Sequence, residues 1–300
     1  MSTSYKSVVL VGASGNIGRL TLSIFEASDL EVTAVIRLTS KAIFPGDITV
    51  AKTEFNLESL TRIFKGKDAM ISMIPVVSLD TQAVVIEAAL TAGVKRFIPS
   101  EYGSDTSNDE VIAAVLFFGA KRKQLDYLRS TQDVMSWIAL TTGPLFDWGL
   151  PLGFWGFDLE DRRARLVDGG RTKFTASNGD QVGRALMATL ARPEETANQV
   201  VSVESFNTTQ LDVLGALEKQ TGSKWQVSNV SADDVRADAQ KLFGQGDIVG
   251  GGSKLIEALV FGETGLEDHT DLDTAKWNRL LKLPEQSVED TIQRVLKAQP

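Results

Sequence analysis

The first half of the sequence alternates short apolar runs with segments of helical periodicity. Between the runs, Ile17, Leu20 and Ile24 repeat at helical spacing, and a second helical segment covers residues 81–93. Strands that alternate with helices of this length predict a doubly wound, mainly parallel α/β sheet with helices on both faces. The strand-like runs are SVVLVG (7–12), VTAVIR (32–37), ITVAKT (48–53), AMISMI (69–74), KRFIPS (95–100) and WIALTTG (137–143).

A glycine-rich turn, GASGNIG (12–18), follows the first strand and opens the first helix. In a Rossmann-type fold, the free amides and the positive dipole end of this helix stabilise a diphosphate, and glycines let the phosphate approach the backbone. The competing interpretation is a plain turn in which glycine satisfies backbone geometry. The repeated strand–helix pattern favours the nucleotide, so we expect cofactor contacts at Gly12, Ser14, Gly15, Asn16, Ile17 and Gly18.

The pattern changes after Pro144, where an aromatic segment without a clear period begins. We expect a nucleotide-binding domain over residues 1–145 and a smaller, largely helical substrate lobe over residues 146–300. A helix near 180–192 has the period of an element that covers a sheet, so the lobe is expected to be partly interleaved with the first domain. GQGDIVGGGSKL (244–255) is expected to be a mobile loop.

The end of the second strand selects between the two nicotinamide cofactors. An NAD site usually places an acidic residue there, which binds the ribose hydroxyls. In this chain the strand ends on Arg37, and Lys41 follows four residues later. A guanidinium can hold a 2′-phosphate in charge-assisted, often bidentate hydrogen bonds, which an acid would repel. The sequence therefore predicts NADP(H), although a solvated surface Arg is the simpler alternative.

Charge and composition exclude several classes of function. The chain has 31 Lys and Arg against 39 Asp and Glu, a net charge of −8, which disfavours a nucleic-acid or acidic-membrane binder because both need a basic face. It has no cysteine, so thiolate metal sites and cysteine nucleophiles are ruled out. No apolar stretch approaches the roughly eighteen residues of a membrane span. We expect a cytoplasmic monomer or homodimer whose partner is a small molecule.

The acid/base group must differ from that of common short-chain reductases, which pair a Tyr with a Lys four residues later. No tyrosine of this chain has a lysine at that spacing. The segment FFGAKRKQLDYL (117–128) instead places Lys121, Arg122 and Lys123 beside apolar residues. A lysine against an apolar wall or a positive nicotinamide has its pKa lowered and can transfer a proton. On spacing alone, the solvated face of an amphipathic helix explains these cations better.

Three segments together resemble the isoflavone reductase-like group of the NmrA-like family, which are atypical short-chain dehydrogenases/reductases. Members carry a GxxGxxG turn, a strand-end Arg for NADP, a segment close to RFxPSEFG, and a helix that starts with F-x-x-K. Here Phe118-Gly-Ala-Lys121 stands at that place. The resemblance covers residues 7–145 well and the C-terminal lobe only loosely. The three segments are GASGNIG (12–18), TQAVVIEAALTAGV (81–94) and KRFIPSEYGSD (95–105).

The resemblance implies that Lys121 is the general acid/base. Family reactions are NADPH-dependent reductions of phenolic, often plant-derived molecules. The remaining implied contacts are to the cofactor: Pro75 and Val76 with Ser100 and Glu101 near the nicotinamide, and Arg37 with Lys41 at the 2′-phosphate.

The chain also departs from the family pattern. Leu125-Asp126 stands where the plant enzymes have a basic pair, and Tyr102 stands where Phe is commoner. The aromatic segment 146–157 does not match the plant pattern, so plant substrates do not carry over. We expect Tyr102, Phe146 and Trp148 to contact the substrate. Packing inside the lobe is the alternative interpretation of the aromatic segment.

The sequence therefore predicts an NADPH-dependent reductase of a small aromatic or conjugated carbonyl compound. The alternative is a non-catalytic NADP(H) sensor that regulates a protein partner, as some NmrA-like proteins do, and a weaker third is an isomerase or lyase. His269 is the only histidine and is expected in a solvated acidic loop, so no metal site is expected. Gly250–Gly252 fits either a lid hinge or a loop tip.

Overall fold

The computed structural model describes residues 5–298. Its strands, in chain order, are Ser7–Val11 (β1), Glu31–Arg37 (β2), Thr49–Thr53 (β3), Ala69–Ser72 (β4), Arg96–Ile98 (β5), Ser136–Thr141 (β6), Phe157–Asp158 (β7), Arg163–Val167 (β8), Phe174–Ala176 (β9), Gln199–Ser202 (β10), Phe206–Thr208 (β11) and Gln226–Val230 (β12). Its α-helices, in chain order, are Asn16–Glu26 (α1), Leu57–Phe64 (α2), Leu79–Ala92 (α3), Asp109–Ala114 (α4), Gly119–Ser130 (α5), Phe146–Gly149 (α6), Gly179–Leu190 (α7), Gln210–Thr221 (α8), Ala232–Gly244 (α9), Ile248–Phe261 (α10), Thr274–Leu281 (α11) and Val288–Ala298 (α12). Within residues 5–298, no helix is both long and apolar enough to cross a membrane.

The central sheet is parallel and has the strand order β10-β6-β5-β4-β1-β2-β3. Its strands β1 to β6 are the six that the apolar runs predict, so the doubly wound, mainly parallel fold is confirmed. The remaining strand, β10, comes from the C-terminal half and pairs with β6, with Val200 opposite Ala139. The sequence did not predict β10, because its four residues form no apolar run of strand length.

The strand order reverses between β1 and β4. The chain passes from β1 outward to β2 and β3, and it returns to β4 on the other side of β1. In open α/β sheets such a reversal opens a crevice outside the carboxyl ends of the strands, and ligands bind there. Gly12, which follows β1, and Met73, which follows β4, both border this crevice.

Helices cover both faces of the sheet, as the apolar strands require. On one face, Phe25 of α1 and Leu186 of α7 enter the same core cluster. On the other face, Leu60 of α2, Val85 of α3 and Leu125 of α5 pack together. Helix α7 lies at the place where the sequence predicts a helix that returns to the first domain, and it packs on α1.

The lobe beyond β6 contains helices α8 to α12 together with two small sheets that the sequence did not predict. One sheet has the order β12-β8-β7, and the other pairs β9 with β11. In β8, Ala164 and Leu166 are buried, while Arg163 is exposed. Arginines at alternate positions therefore hid this strand from a search for apolar runs.

The prediction of a mobile loop over residues 244–255 is wrong. Helix α9 ends at Gly244, a short turn follows, and α10 runs through the glycine run to Phe261. The side chain of Asp247 caps the new helix by accepting a hydrogen bond from the Gly250 backbone N–H at 2.8 Å. The cap shows why a helix can begin just before consecutive glycines.

Helices α1 and α7 approach closely at Gly179, where an added Cβ would lie 2.5 Å from the Leu20 Cβ. Gly179→Ala should force the helices apart and lower the free energy of unfolding by about 1–3 kcal/mol, measured by urea denaturation. Gly215→Ala on α8 is the matched control, because Gly215 is exposed and nothing lies within 4 Å of its Cβ position. Helix propensity should make this control about 0.5–1 kcal/mol more stable. Equal changes in the free energy of unfolding of the two variants would contradict the close α1–α7 contact.

Candidate functional site

A cleft of about 360 Å³ lies at the carboxyl ends of β1, β2 and β4, where the strand order reverses. A wider depression of about 980 Å³ lies over β7 and β8 in the lobe, and no predicted site residue lines it. The cleft at the strand ends is therefore the candidate site. Its lining residues are Gly12, Ser14, Gly15, Val35, Ile36, Arg37, Thr39, Ser40, Phe55, Met73, Ile74, Pro75, Ser78 and Thr81.

The glycine turn lets β1, β4 and α1 approach more closely than other residues would allow. Gly12 has a φ of +89°, and a Cβ there would lie 2.7 Å from the Met73 carbonyl oxygen. A Cβ at Gly18 would overlap the Ala13 backbone. Gly15 is the N-cap of α1 and offers no side-chain cap, so the first amides of the helix remain available to an anion.

The other predicted residues of the turn have different environments. Ser14 lines the cleft, and its carbonyl oxygen accepts a hydrogen bond from Arg19 Nε at 2.9 Å. Asn16 is exposed at the start of α1. Ile17 packs against the hydrophobic core instead of lining the cleft. The turn therefore presents mainly backbone and small polar groups to a ligand.

Arg37 lies at the rim of the cleft with an exposed side chain, and Thr39 and Ser40 line the cleft beside it. Lys41 is exposed and does not line the cleft. Lys52 of β3 donates from Nζ to the Ser40 carbonyl oxygen at 3.2 Å, so a second cation lies next to this loop. The sequence analysis missed Lys52, because only the pairing of β2 with β3 brings it near.

Ser100 connects the turn after β5 to the cleft. Its hydroxyl donates to the Ile74 carbonyl oxygen at 2.7 Å, and its backbone N–H donates to Gln82 Oε1 at 2.9 Å. Ile74 and Pro75 line the cleft, whereas Val76 begins the following 3₁₀ turn and is not among the lining residues. Ser100 is thus a buried support of the cleft wall.

Gln82 on α3 is fully buried and uses both ends of its amide. Besides accepting from Ser100, it donates from Nε2 to Gln124 Oε1 at 2.5 Å, and Gln124 donates to the Leu79 carbonyl oxygen at 2.7 Å. A satisfied buried network of this kind fixes one arrangement of the elements that it joins. Here it ties α3 to α5 one turn after Lys121. Nothing in the sequence distinguishes these glutamines from others on amphipathic helices.

Lys121 is half-buried near the start of α5. Its Nζ donates to the Glu101 carbonyl oxygen at 3.2 Å and lies 5.7 Å from the centre of the Phe118 ring. The Glu101 carboxyl group is buried, and its Oε2 accepts a hydrogen bond from the Thr106 hydroxyl at 2.7 Å. Glu101 therefore offers Lys121 a backbone carbonyl, while its carboxyl group bonds to Thr106.

Burial shifts the pKa values of both groups. Desolvation lowers the pKa of the Lys121 amine below its ordinary value, and the charge of Glu101 opposes this shift. Desolvation raises the pKa of Glu101, opposed by the charge of Lys121 and the hydrogen bond from Thr106. A lysine with a lowered pKa can exchange a proton nearer neutral pH, which is the property that general acid/base catalysis needs.

The two cations that follow Lys121 in the sequence are not equivalent to it. Arg122 donates from Nε to the Thr106 carbonyl oxygen at 2.8 Å and pairs with Asp109 at 2.9 Å. Arg122 therefore fixes the loop that carries Thr106. Lys123 is exposed. Of the three, only Lys121 contacts Glu101 in the turn after β5.

The three predicted substrate residues lie in different environments. Tyr102 is buried, which raises the pKa of its hydroxyl, and that hydroxyl has no hydrogen-bond partner among residues 5–298. Phe146 is fully buried and packs edge to face on Phe206 at 5.0 Å, a position that favours the packing interpretation. Trp148 is half-buried and stacks on the exposed Phe154 at 5.1 Å. The Trp148–Phe154 pair thus leaves aromatic surface open to a ligand.

The expectation that His269 lies in a solvated loop is wrong. Its imidazole is buried, and Nε2 lies 3.5 Å from an oxygen of the buried Glu267 carboxylate. The backbone of this segment docks on β9, because Thr175 donates to the Glu267 carbonyl oxygen and accepts from the His269 N–H. In residues 5–298, no three His, Asp or Glu side chains come together as metal ligands.

A sequence profile of the NmrA-like family matches residues 4–243. The chain belongs to the NmrA-like family. Oxidoreductase aprR of Aspergillus flavus is 34% identical over 296 residues, which cover 97% of this chain and 98% of that protein. Oxidoreductase poxI of Penicillium oxalicum is 29% identical over 255 residues, which cover 84% of this chain and 81% of that protein.

Solved structures show the same fold. The binary complex of leucoanthocyanidin reductase with NADPH from Vitis vinifera aligns with a TM-score of 0.80 at 17% identity. The alignment covers 97% of this chain and 99% of that chain. The likeness extends over the C-terminal half as well as the N-terminal half, although residues 146–300 carry little of the family pattern in their sequence.

Proposed function

We propose that this chain is an NADPH-dependent reductase of a small aromatic or conjugated carbonyl compound, with Lys121 as the general acid/base. The observation that carries the proposal is the hydrogen-bonded connection between the Lys121 amine and the cleft. Lys121 bonds to the Glu101 carbonyl, and the neighbouring Ser100 bonds to Ile74 in the cleft wall. Through these two bonds, a lysine with a lowered pKa would be held near the position where a nucleotide would bind.

NADP(H) fits the groups that the cleft presents. The turn from Gly12 to Gly15 and the first amides of α1 would hold the diphosphate. Arg37, with the Ser40 loop and Lys52 beside it, would hold the 2′-phosphate. Pro75 would border the nicotinamide. The bound cofactor supplies a hydride, and NADPH is also the cofactor in the similar Vitis vinifera complex.

The chain's own residues would move the proton. The Lys121 ammonium would donate a proton to the substrate oxygen, which its lowered pKa makes easier, and the amine would then regain a proton from solvent. The Glu101 carbonyl would hold the amine in place throughout. The names of the fungal relatives support the oxidoreductase class, and the stacked Trp148 and Phe154 favour a flat aromatic substrate.

Lys121→Met should lower turnover by about 10²-fold or more, because the proton donor is lost, while NADPH binding should be unchanged. Turnover can be followed as NADPH oxidation with a panel of aromatic aldehydes, ketones and enones, and binding by fluorescence titration. Lys123→Met is the matched control, since Lys123 is exposed on the same helix. Lys123→Met should keep the wild-type turnover and the wild-type NADPH affinity.

Undiminished turnover in Lys121→Met would contradict the acid/base role. A wild-type protein that binds NADPH tightly but oxidises it with no compound in the panel would favour the NADP(H) sensor.

Arg37→Ala should weaken NADPH binding by about 10- to 100-fold, because a charge-assisted contact to the 2′-phosphate is lost. NADH lacks this phosphate and should lose less than about threefold on the same grounds. Lys41→Ala should change the preference less, because Lys41 does not line the cleft. Isothermal titration calorimetry with both cofactors measures the ratio of the NADPH and NADH dissociation constants in each variant. Equal losses for NADPH and NADH in Arg37→Ala would count against NADP(H) as the cofactor.

A further inference from the structure

The glycine run Gly250–Gly252 lies in the first two turns of α10, although glycine inside a helix costs roughly 0.5–1 kcal/mol relative to alanine. Gly251 makes room for one aromatic ring, and Gly252 lies within ordinary contact distance of another. A Cβ at Gly251 would lie 2.5 Å from the Phe243 ring of α9, and a Cβ at Gly252 would lie 3.4 Å from the Phe117 ring. The run therefore seats one ring from its own hairpin and one from the segment before Lys121.

The Phe117 ring begins a row of contacts that leads to Lys121. Its centre lies 5.0 Å from that of Phe118, in an edge-to-face arrangement. Phe118 is buried in a cluster to which Leu259 of α10 also belongs. The Lys121 Nζ lies 5.7 Å from the centre of the Phe118 ring. From α10 to the amine, each member of the row touches the next.

Helix α10 contributes apolar surface to this row and no opposing charge. Its charged residues Lys254 and Glu257 pair with each other at 2.8 Å, and Glu257 also pairs with Arg165 of β8. The charged group that acts on Lys121 is Glu101, which lies in the turn after β5 and not on α10. The effect of α10 on Lys121 is therefore expected to be exclusion of water.

We infer that the α9–α10 hairpin positions Lys121, with Gly252 seating Phe117 and Phe117 holding Phe118 against the lysine side chain. The inference rests on the proposed function and adds Gly252 and Phe117 as positioning residues. They act through Phe118 and touch neither cofactor nor substrate. The row keeps the amine in an apolar environment, which destabilises its charged form.

Trace acetylation of Lys121 by acetic anhydride at a series of pH values, resolved by mass spectrometry, measures the titration of this amine without a substrate. The wild-type midpoint should lie below the ordinary lysine value of about 10.4. Gly252→Leu should displace Phe117, admit water to the amine and raise the midpoint by about one pH unit or more. Gly252→Ala should raise it less, because its Cβ at 3.4 Å makes only an ordinary contact. NADPH affinity should not change.

Gly244→Leu is the matched control on the same hairpin, because nothing lies within 4 Å of the Gly244 Cβ position, and its midpoint should equal that of the wild type. Phe117→Ala removes the ring from the other side and should raise the midpoint as Gly252→Leu does. If circular dichroism shows that Gly252→Leu does not fold, Phe117→Ala tests the positioning role in its place.

A wild-type midpoint in the folded variants would overturn the positioning role of the hairpin and leave the proposed function intact. An ordinary midpoint near 10.4 in the wild-type protein would overturn the proposed role of Lys121 itself.

Discussion

The hydrogen bond from the Lys121 amine to the Glu101 carbonyl oxygen joins α5 to the turn after β5, and the proposed proton transfer depends on it. A carboxylate in place of this carbonyl would hold the ammonium in an ion pair and raise its pKa. The Glu101 carboxyl group bonds to Thr106, and its charge opposes the shift only in part, so the carbonyl fixes the amine in position while burial still lowers its pKa. One lysine can therefore be held in place by a hydrogen bond and still have the lowered pKa that the proposed proton transfer needs.

This arrangement needs rigid support, which buried polar and aromatic groups supply from two directions. Gln82 joins the Ser100 backbone to Gln124 on α5, and the Phe117–Phe118 pair packs the start of α5 toward α10. The glycine turn sets the other side of the cleft, since Gly12 lets β1 and β4 close to a distance that no Cβ would permit. Substrate and cofactor would then meet between two fixed walls.

The sequence was sufficient to predict those features of the fold and the site that depend on residues close together in the chain. The apolar strands, the glycine turn and Arg37 at a strand end could be read from the sequence, because each depends on neighbouring residues. The strand β10, the cation Lys52 and the Gln82–Gln124 bond depend on residues far apart in the chain, so no spacing indicated them. The glycines of α10 and the buried His269 show local preference overruled by tertiary contacts, since phenylalanine rings and β9 determine where these segments lie.

A crystal structure of the wild-type protein with NADP⁺ would show what separates the nicotinamide from Lys121. We expect the diphosphate on the Gly12–Gly15 turn, the 2′-phosphate on Arg37, and open space for a substrate between C4 of the nicotinamide and the Lys121 Nζ. A nucleotide bound elsewhere, or a nicotinamide separated from Lys121 by packed protein atoms, would contradict this expectation.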